Sequence, residues 1–148
     1  MLKETSESVA RTEAIAAALA AGFCGGEVVA LHGELGAGKT QFVRGLLRGL
    51  GGDPRAVSSP TFVLLNVYDS GRLTLYHLDA YRVHGAEDFE AIGFAELLEQ
   101  GGVVALEWPE RVEALLPKRV WHVRLTPVDE NRREIEISPP VENGPTPG

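Results

Sequence analysis

Residues 33 to 40 read GELGAGKT, directly after the apolar run VVALH. The octapeptide matches G-x-x-x-x-G-K-[ST] at every fixed position, with Gly33, Gly38, Lys39 and Thr40 in place. Glycines let a backbone turn tightly and aim its N–H groups at a polyphosphate, and a helix starting at Lys39 adds its positive end. The lysine reaches the outer phosphates, while the threonine hydroxyl is the usual first ligand of Mg²⁺. Such a loop also needs an acid at the end of a neighbouring strand. Asp79 closes the apolar run LTLYHLD and Glu107 closes VVALE. Either can instead cap a helix or sit in a solvated turn, but metal and attacking water together require more than one oxygen acceptor.

Weaker candidates surround these. SSPTF, residues 58 to 62, holds the hydroxyls of Ser58, Ser59 and Thr61 where nucleotide switches often place a loop that senses the terminal phosphate. A plain turn explains the same composition. Trp108, beside Glu107, is a core or a site aromatic; as the next residue along a strand it is expected to point away from Glu107. His32, His77, His84 and His122 are too scattered for a metal-ligand pattern and read as core or surface histidines. Arg82 and Arg111 can meet a phosphate or a surface carboxylate, and spacing does not decide between them.

The elements that must position these groups follow from periodicity. SESVARTEAIAAALAAGF predicts a helix from Ser6 to Ala21, EVVALHG a buried strand, and KTQFVRGLLRGL an amphipathic helix, so the glycine loop lies between strand and helix. FVLLNVY and RLTLYHLDAY, separated by Asp69-Ser70-Gly71, predict an antiparallel hairpin; WHVRLTPV and REIEIS around Asp129-Glu130-Asn131 predict another. AEDFEAIGFAELLEQ reads as helix interrupted at Gly93, GVVALEW as a buried strand, and PERVEALLP as a proline-started helix. The fold class expected is α/β. Residues 1–138 form one domain, and residues 139–148, PPVENGPTPG, form a disordered tail.

With 148 residues there is room for a single core and none for a separate substrate domain. Hydrophobic residues make up 44% and charged ones 24%, and no apolar run is long enough to span a bilayer. The polar N-terminus, MLKETSESVARTE, lacks the apolar stretch of a signal peptide, so a cytoplasmic location is expected. Cys24 is the only cysteine, which excludes an internal disulfide and a thiolate metal cluster. A net charge of −7 argues against a broad surface for DNA or RNA. If nucleic acid matters, a partner is expected to hold it.

GELGAGKT, SSPTF, HLDAYR and EWPER, in this order and at these intervals, resemble the TsaE (YjeE) family over about Ser6 to Ile137. The resemblance implies a small P-loop domain with a central mixed parallel and antiparallel sheet flanked by helices. It also implies slow, Mg²⁺-dependent ATP hydrolysis in the formation of threonylcarbamoyladenosine, next to the anticodon of tRNAs. Family members act with a TsaD–TsaB complex, which they reset between rounds, and so meet tRNA only indirectly. Carried over by residue, Glu34, Leu35, Gly36, Ala37, Gly38, Lys39 and Thr40 hold the ATP phosphates, and Thr40 and Glu107 hold Mg²⁺. Asp79 orients water or the metal shell, Trp108 becomes a site or partner contact, and Arg132, with Arg133 beside it, falls near a nucleotide-contacting arginine. A small-molecule kinase needs an acceptor pocket and an arginine-bearing lid, for which the acidic AEDFEAIGFAELLEQ is a poor candidate. A nucleotide-binding module without turnover is a further alternative, weakly opposed by the two carboxylates.

Overall fold

The computed structural model describes residues 2–34, 36–57, 64–81 and 86–141. Seven strands form one sheet: β1 (Leu2–Ser6), β2 (Val28–His32), β3 (Leu65–Tyr68), β4 (Leu75–Asp79), β5 (Val103–Glu107), β6 (Trp121–Pro127) and β7 (Arg133–Ser138). Their spatial order is β1-β7-β6-β2-β5-β4-β3. The four central strands, β6, β2, β5 and β4, run parallel, and antiparallel partners close both margins. The helices are α1 (Val9–Ala21), α2 (Lys39–Gly49), α3 (Ala86–Ala91) and α4 (Phe94–Leu98).

Side-chain alternation along the central strands sorts the core into two layers. Val29 and Leu31 of β2 and Val103 and Ala105 of β5 pack on one face with Ile15 and Ala16 of α1 and Phe42, Leu46 and Leu47 of α2. Their neighbours Val28, Ala30, Val104 and Leu106 pack on the other face with Phe89 and Phe94. Each fully buried Val, Leu, Ile or Phe among these contributes about 1.5–3 kcal/mol. On β4 and β5 this alternation puts His77, Asp79 and Glu107 on the face that carries α2.

Two glycines let α1 and α2 approach closely. A Cβ on Gly45 would lie 2.3 Å from the Glu13 carbonyl oxygen and 2.6 Å from the Ala16 Cβ, and one on Gly49 would lie 2.4 Å from the Ala17 carbonyl oxygen. The alanine-rich face of α1 therefore fits the apolar face of α2 almost backbone to backbone. The α1 helix starts at Ser8, whose hydroxyl accepts from Arg11 N at 3.0 Å. Arg72, from the β3–β4 connection, donates to the Phe23, Ala20 and Ala21 carbonyls at 2.8 to 3.1 Å and so closes the other end.

Two local expectations need correction. The first helix begins at Val9 rather than Ser6, because residues 2–6 pair with β7 as strand β1, Leu2 opposite Ile137. Nothing apolar and periodic marks LKETS; the free edge of β7 supplies the hydrogen bonds that make it a strand. PERVEALLP forms a 3₁₀ segment over Pro109–Leu115, kinked at Val112, rather than an α-helix. Both hairpins form as expected, and Gly93 (φ 78°) separates α3 from α4.

Candidate functional site

The loop from β2 to α2 delivers Lys39 into a cleft of about 330 Å³ lined by Gly36, Gly38, Lys39, Thr40, Gln41, Arg44, Asp79, Glu107, Trp108 and Arg133. Gly38, at φ 104°, caps α2 with no side-chain bond. A Cβ there would also press to 3.1 Å from Arg133 Nε. Lys39 is only 5% exposed. Its ammonium donates to the Gly33 carbonyl at 2.7 Å, lies 3.9 Å from Glu107 Oε1 and stands 3.9 Å from the centre of the Trp108 ring. Burial pulls the Lys39 pKa below its ordinary value, against the opposing pull of Glu107, Asp79 and Glu110.

The opposite wall comes from strand register. Asp79 and Glu107 end β4 and β5 as direct cross-strand partners. Asp79 accepts from Tyr81 N at 2.9 Å, and Glu107 Oε2 lies 2.6 Å from His77 Nε2. Desolvation raises the Asp79 carboxyl above the ordinary range; Tyr81 N–H opposes this and Glu107 adds to it. Two adjacent carboxylates with such an anion–anion penalty, beside the Thr40 hydroxyl, suit a divalent cation. Arg133 Nε is buried with no hydrogen-bond partner among the described residues, and its Nη2 lies 3.5 Å from the Gly36 carbonyl oxygen. An unsatisfied guanidinium nitrogen beside the glycine loop suits a phosphate oxygen.

Trp108 does not point away from Glu107. It has the only positive φ of a non-glycine residue among those described, 58°, so the chain turns after Glu107 and returns the indole to Lys39. The ring also contacts Tyr81, centroids 4.9 Å apart, and packs at the margin of the α3–α4 core layer. Arg111 stands 5.7 Å from the Tyr81 ring.

The side chains of the two adjacent arginines lie on different sides of the turn. Arg132 pairs with Asp129 in the β6–β7 turn, Nε to Oδ2 2.8 Å, and is not among the cleft residues, whereas Arg133 is. Alternation past the turn decides which of two adjacent arginines faces the loop. Sequence reasoning also missed Gln41, Arg44 and His77. His77 and Asp79, two apart on one strand, share a face, and that spacing was a readable signal. Arg44 donates to the Val57 carbonyl at 3.0 Å, directly before residues 58–63. His32 and His122 meet at 2.9 Å, and among the described residues no group of three or more potential ligands gathers around them. Cys24 is exposed. Leu35, Ser58, Ser59, Thr61, Arg82 and His84 lie outside the described residues, as does 142–148 of the expected tail.

A parallel-sheet strand running through a glycine loop into a helix, with a buried lysine facing two strand-end carboxylates, defines the P-loop class of α/β proteins. Within that class the chain belongs to the TsaE family, whose model, described as threonylcarbamoyl adenosine biosynthesis protein TsaE, matches residues 6–135. A relative named tRNA threonylcarbamoyladenosine biosynthesis protein TsaE, from Treponema pallidum, is 48% identical over 113 residues, 76% of this chain and 82% of its own length. Its namesake from Bacillus subtilis is 38% identical over 137 residues, 93% and 85% respectively. The crystal structure of Bacillus YdiB superposes with a TM-score of 0.79 at 31% identity, covering 98% of this chain and 89% of that one.

Proposed function

We propose that this protein serves tRNA threonylcarbamoyladenosine biosynthesis as a Mg²⁺-dependent ATPase whose hydrolysis drives a partner, the TsaD–TsaB complex, in the cytoplasm. The part in tRNA modification rests on family membership and the names its relatives bear. No helix among the described residues is long and apolar enough to cross a membrane. The observation that carries the ATPase reading is the opposed cleft: Lys39 and the unpaired Arg133 Nε on one side, the in-register pair Asp79 and Glu107 on the other.

In this reading the α2 N-terminus and the loop N–H groups hold the phosphates, and Lys39 exchanges the Gly33 carbonyl for a phosphate oxygen. Arg133 adds charge-assisted donors from β7. Mg²⁺, when bound, neutralises charge on the outer phosphates, with Thr40 and Glu107 as the residues that would hold it. Asp79, kept in orientation by the Tyr81 N–H, is the acceptor for a proton from the attacking water. With water as the acceptor, the energy of hydrolysis is expected to appear as a change in the partner.

A hydrolysis assay with and without purified TsaD–TsaB tests the reading, and stimulation by the complex is the expected result. Calorimetry sharpens the arginine assignment: Arg133→Ala should weaken ATP binding about tenfold, while Arg132→Ala, which breaks only an exposed pair, should stay within about twofold. No stimulation, together with equal effects of the two arginines, would refute the reading.

A further inference from the structure

His77 lies two residues before Asp79 on the same face of β4 and is 1% exposed. Its Nε2 stands 2.6 Å from Glu107 Oε2, and its Nδ1 has no hydrogen-bond partner among the described residues. The ring lies tilted beside Tyr68, centroids 6.5 Å apart, in the layer under α2. As a packing residue His77 is a poor choice, since a buried unpaired ring nitrogen costs stability that an aliphatic side chain would not lose. The contact with Glu107 is what an imidazole provides there and a hydrocarbon does not. Glu107 Oε1 meanwhile faces Lys39 Nζ at 3.9 Å, so the two carboxylate oxygens have different neighbours. A carboxylate accepts and cannot donate; the imidazole must therefore be the donor in this contact, with a proton on Nε2.

We propose that His77 is the positioning residue for Glu107. Its Nε2–H occupies Oε2, arrests rotation about the last side-chain torsion, and leaves Oε1 as the single oxygen presented to the cleft and its cation. This rests on the nucleotide reading above and adds to it a buried outer partner of the kind that orients metal-binding carboxylates. Arg133 acts on the phosphate side, whereas His77 acts only through Glu107.

Two measurements test the assignment. In the nucleotide-free protein, long-range ¹H–¹⁵N spectra of labelled histidine, assigned with the His77→Gln variant, should show a proton on His77 Nε2; a ring protonated at Nδ1 alone would overturn the proposal. ATP affinity is then measured by calorimetry with chelator and with saturating Mg²⁺, for wild type, His77→Phe and His77→Gln, beside thermal melts. Gln carries an N–H donor at nearly the reach of Nε2; Phe fills the space without one. Phe should keep the metal-free affinity within about threefold and lose on the order of tenfold or more of the Mg²⁺-dependent gain, and Gln should restore most of it. Failure of the nucleotide reading looks different, since wild type itself would then not bind ATP. A Phe variant with the parental Mg²⁺ response, or a folded Gln variant as impaired as Phe, would overturn the role of His77.

Discussion

The two walls of the cleft are built in opposite ways. The phosphate wall is mostly one contiguous sequence stretch, GELGAGKT, in which a left-handed Gly38 leads into the start of α2. The carboxylate wall comes from two strands whose ends lie 28 residues apart in sequence and meet only because β4 and β5 pair in parallel with Asp79 opposite Glu107. The first wall carries a helix N-terminus and a lysine, and the second carries two carboxylate acceptors. Binding should therefore depend on the local wall, and turnover on the assembled one.

The largest effect expected is on the first wall. Lys39→Ala should reduce ATP affinity on the order of a thousandfold, because removing one partner of a desolvated charge pair costs about 2–5 kcal/mol. Calorimetry checks it; near-parental affinity would erase the distinction between the walls. Glu107→Gln should instead cut hydrolysis about a hundredfold while metal-free ATP affinity changes by no more than about threefold. Steady-state turnover beside calorimetry separates the two, and loss of affinity as large as the loss of turnover would merge them.

Trp108 touches both walls, through Lys39 on one side and as the residue after Glu107 on the other. Truncating this half-buried ring to alanine should cost about 1–2 kcal/mol, less than the 3–5 kcal/mol of a full core aromatic. Trp108→Gly should be more stable than Trp108→Ala by about 1 kcal/mol, because glycine accepts φ 58° without the steric penalty. Denaturant melts of the two variants decide it, and the reverse order would mean that the left-handed turn stores no strain.

The smallest effect concerns Asp79. Its carboxyl is raised, chiefly by burial, so the folded state disfavours the anion. That cost is present at neutral pH and is relieved as pH falls through the raised folded value. Asp79→Asn should thus gain about 1 kcal/mol or less at pH 7, an advantage that shrinks with acidification and vanishes below the ordinary carboxylate range. Thermal melts across pH, paired with a turnover assay in which the variant is impaired, test whether this wall gives up stability for function.

GELGAGKT was readable because its chemistry is local: the spacing itself places glycines, lysine and threonine around one anion. Asp79 and Glu107 were readable as strand ends next to hydrophobic runs. The pairing between them was not, since register depends on how β5 packs between β2 and β4. His77 shared its face with Asp79 in plain sight, yet its partner at residue 107 lay across the sheet. Which of Arg132 and Arg133 faces the loop was not readable, because one residue of alternation beyond a turn reverses it. Trp108 was expected to face away because an extended strand was assumed through residue 108, where the backbone is left-handed.

From its sequence alone this chain is determined as an α/β P-loop protein: alternating apolar runs and a glycine loop before an amphipathic helix leave few other arrangements, and the same residues carry its family. The tertiary structure decided what the groups in the cleft do to one another. Parallel pairing joined Asp79 to Glu107, β7 brought Arg133 to Gly38, and the turn at residue 108 laid an indole over Lys39. The β1 strand likewise exists only because β7 offers an open edge. Each of these contacts spans a sequence separation that no local pattern encodes, and each is held by backbone hydrogen bonds and packing formed only when the sheet closes.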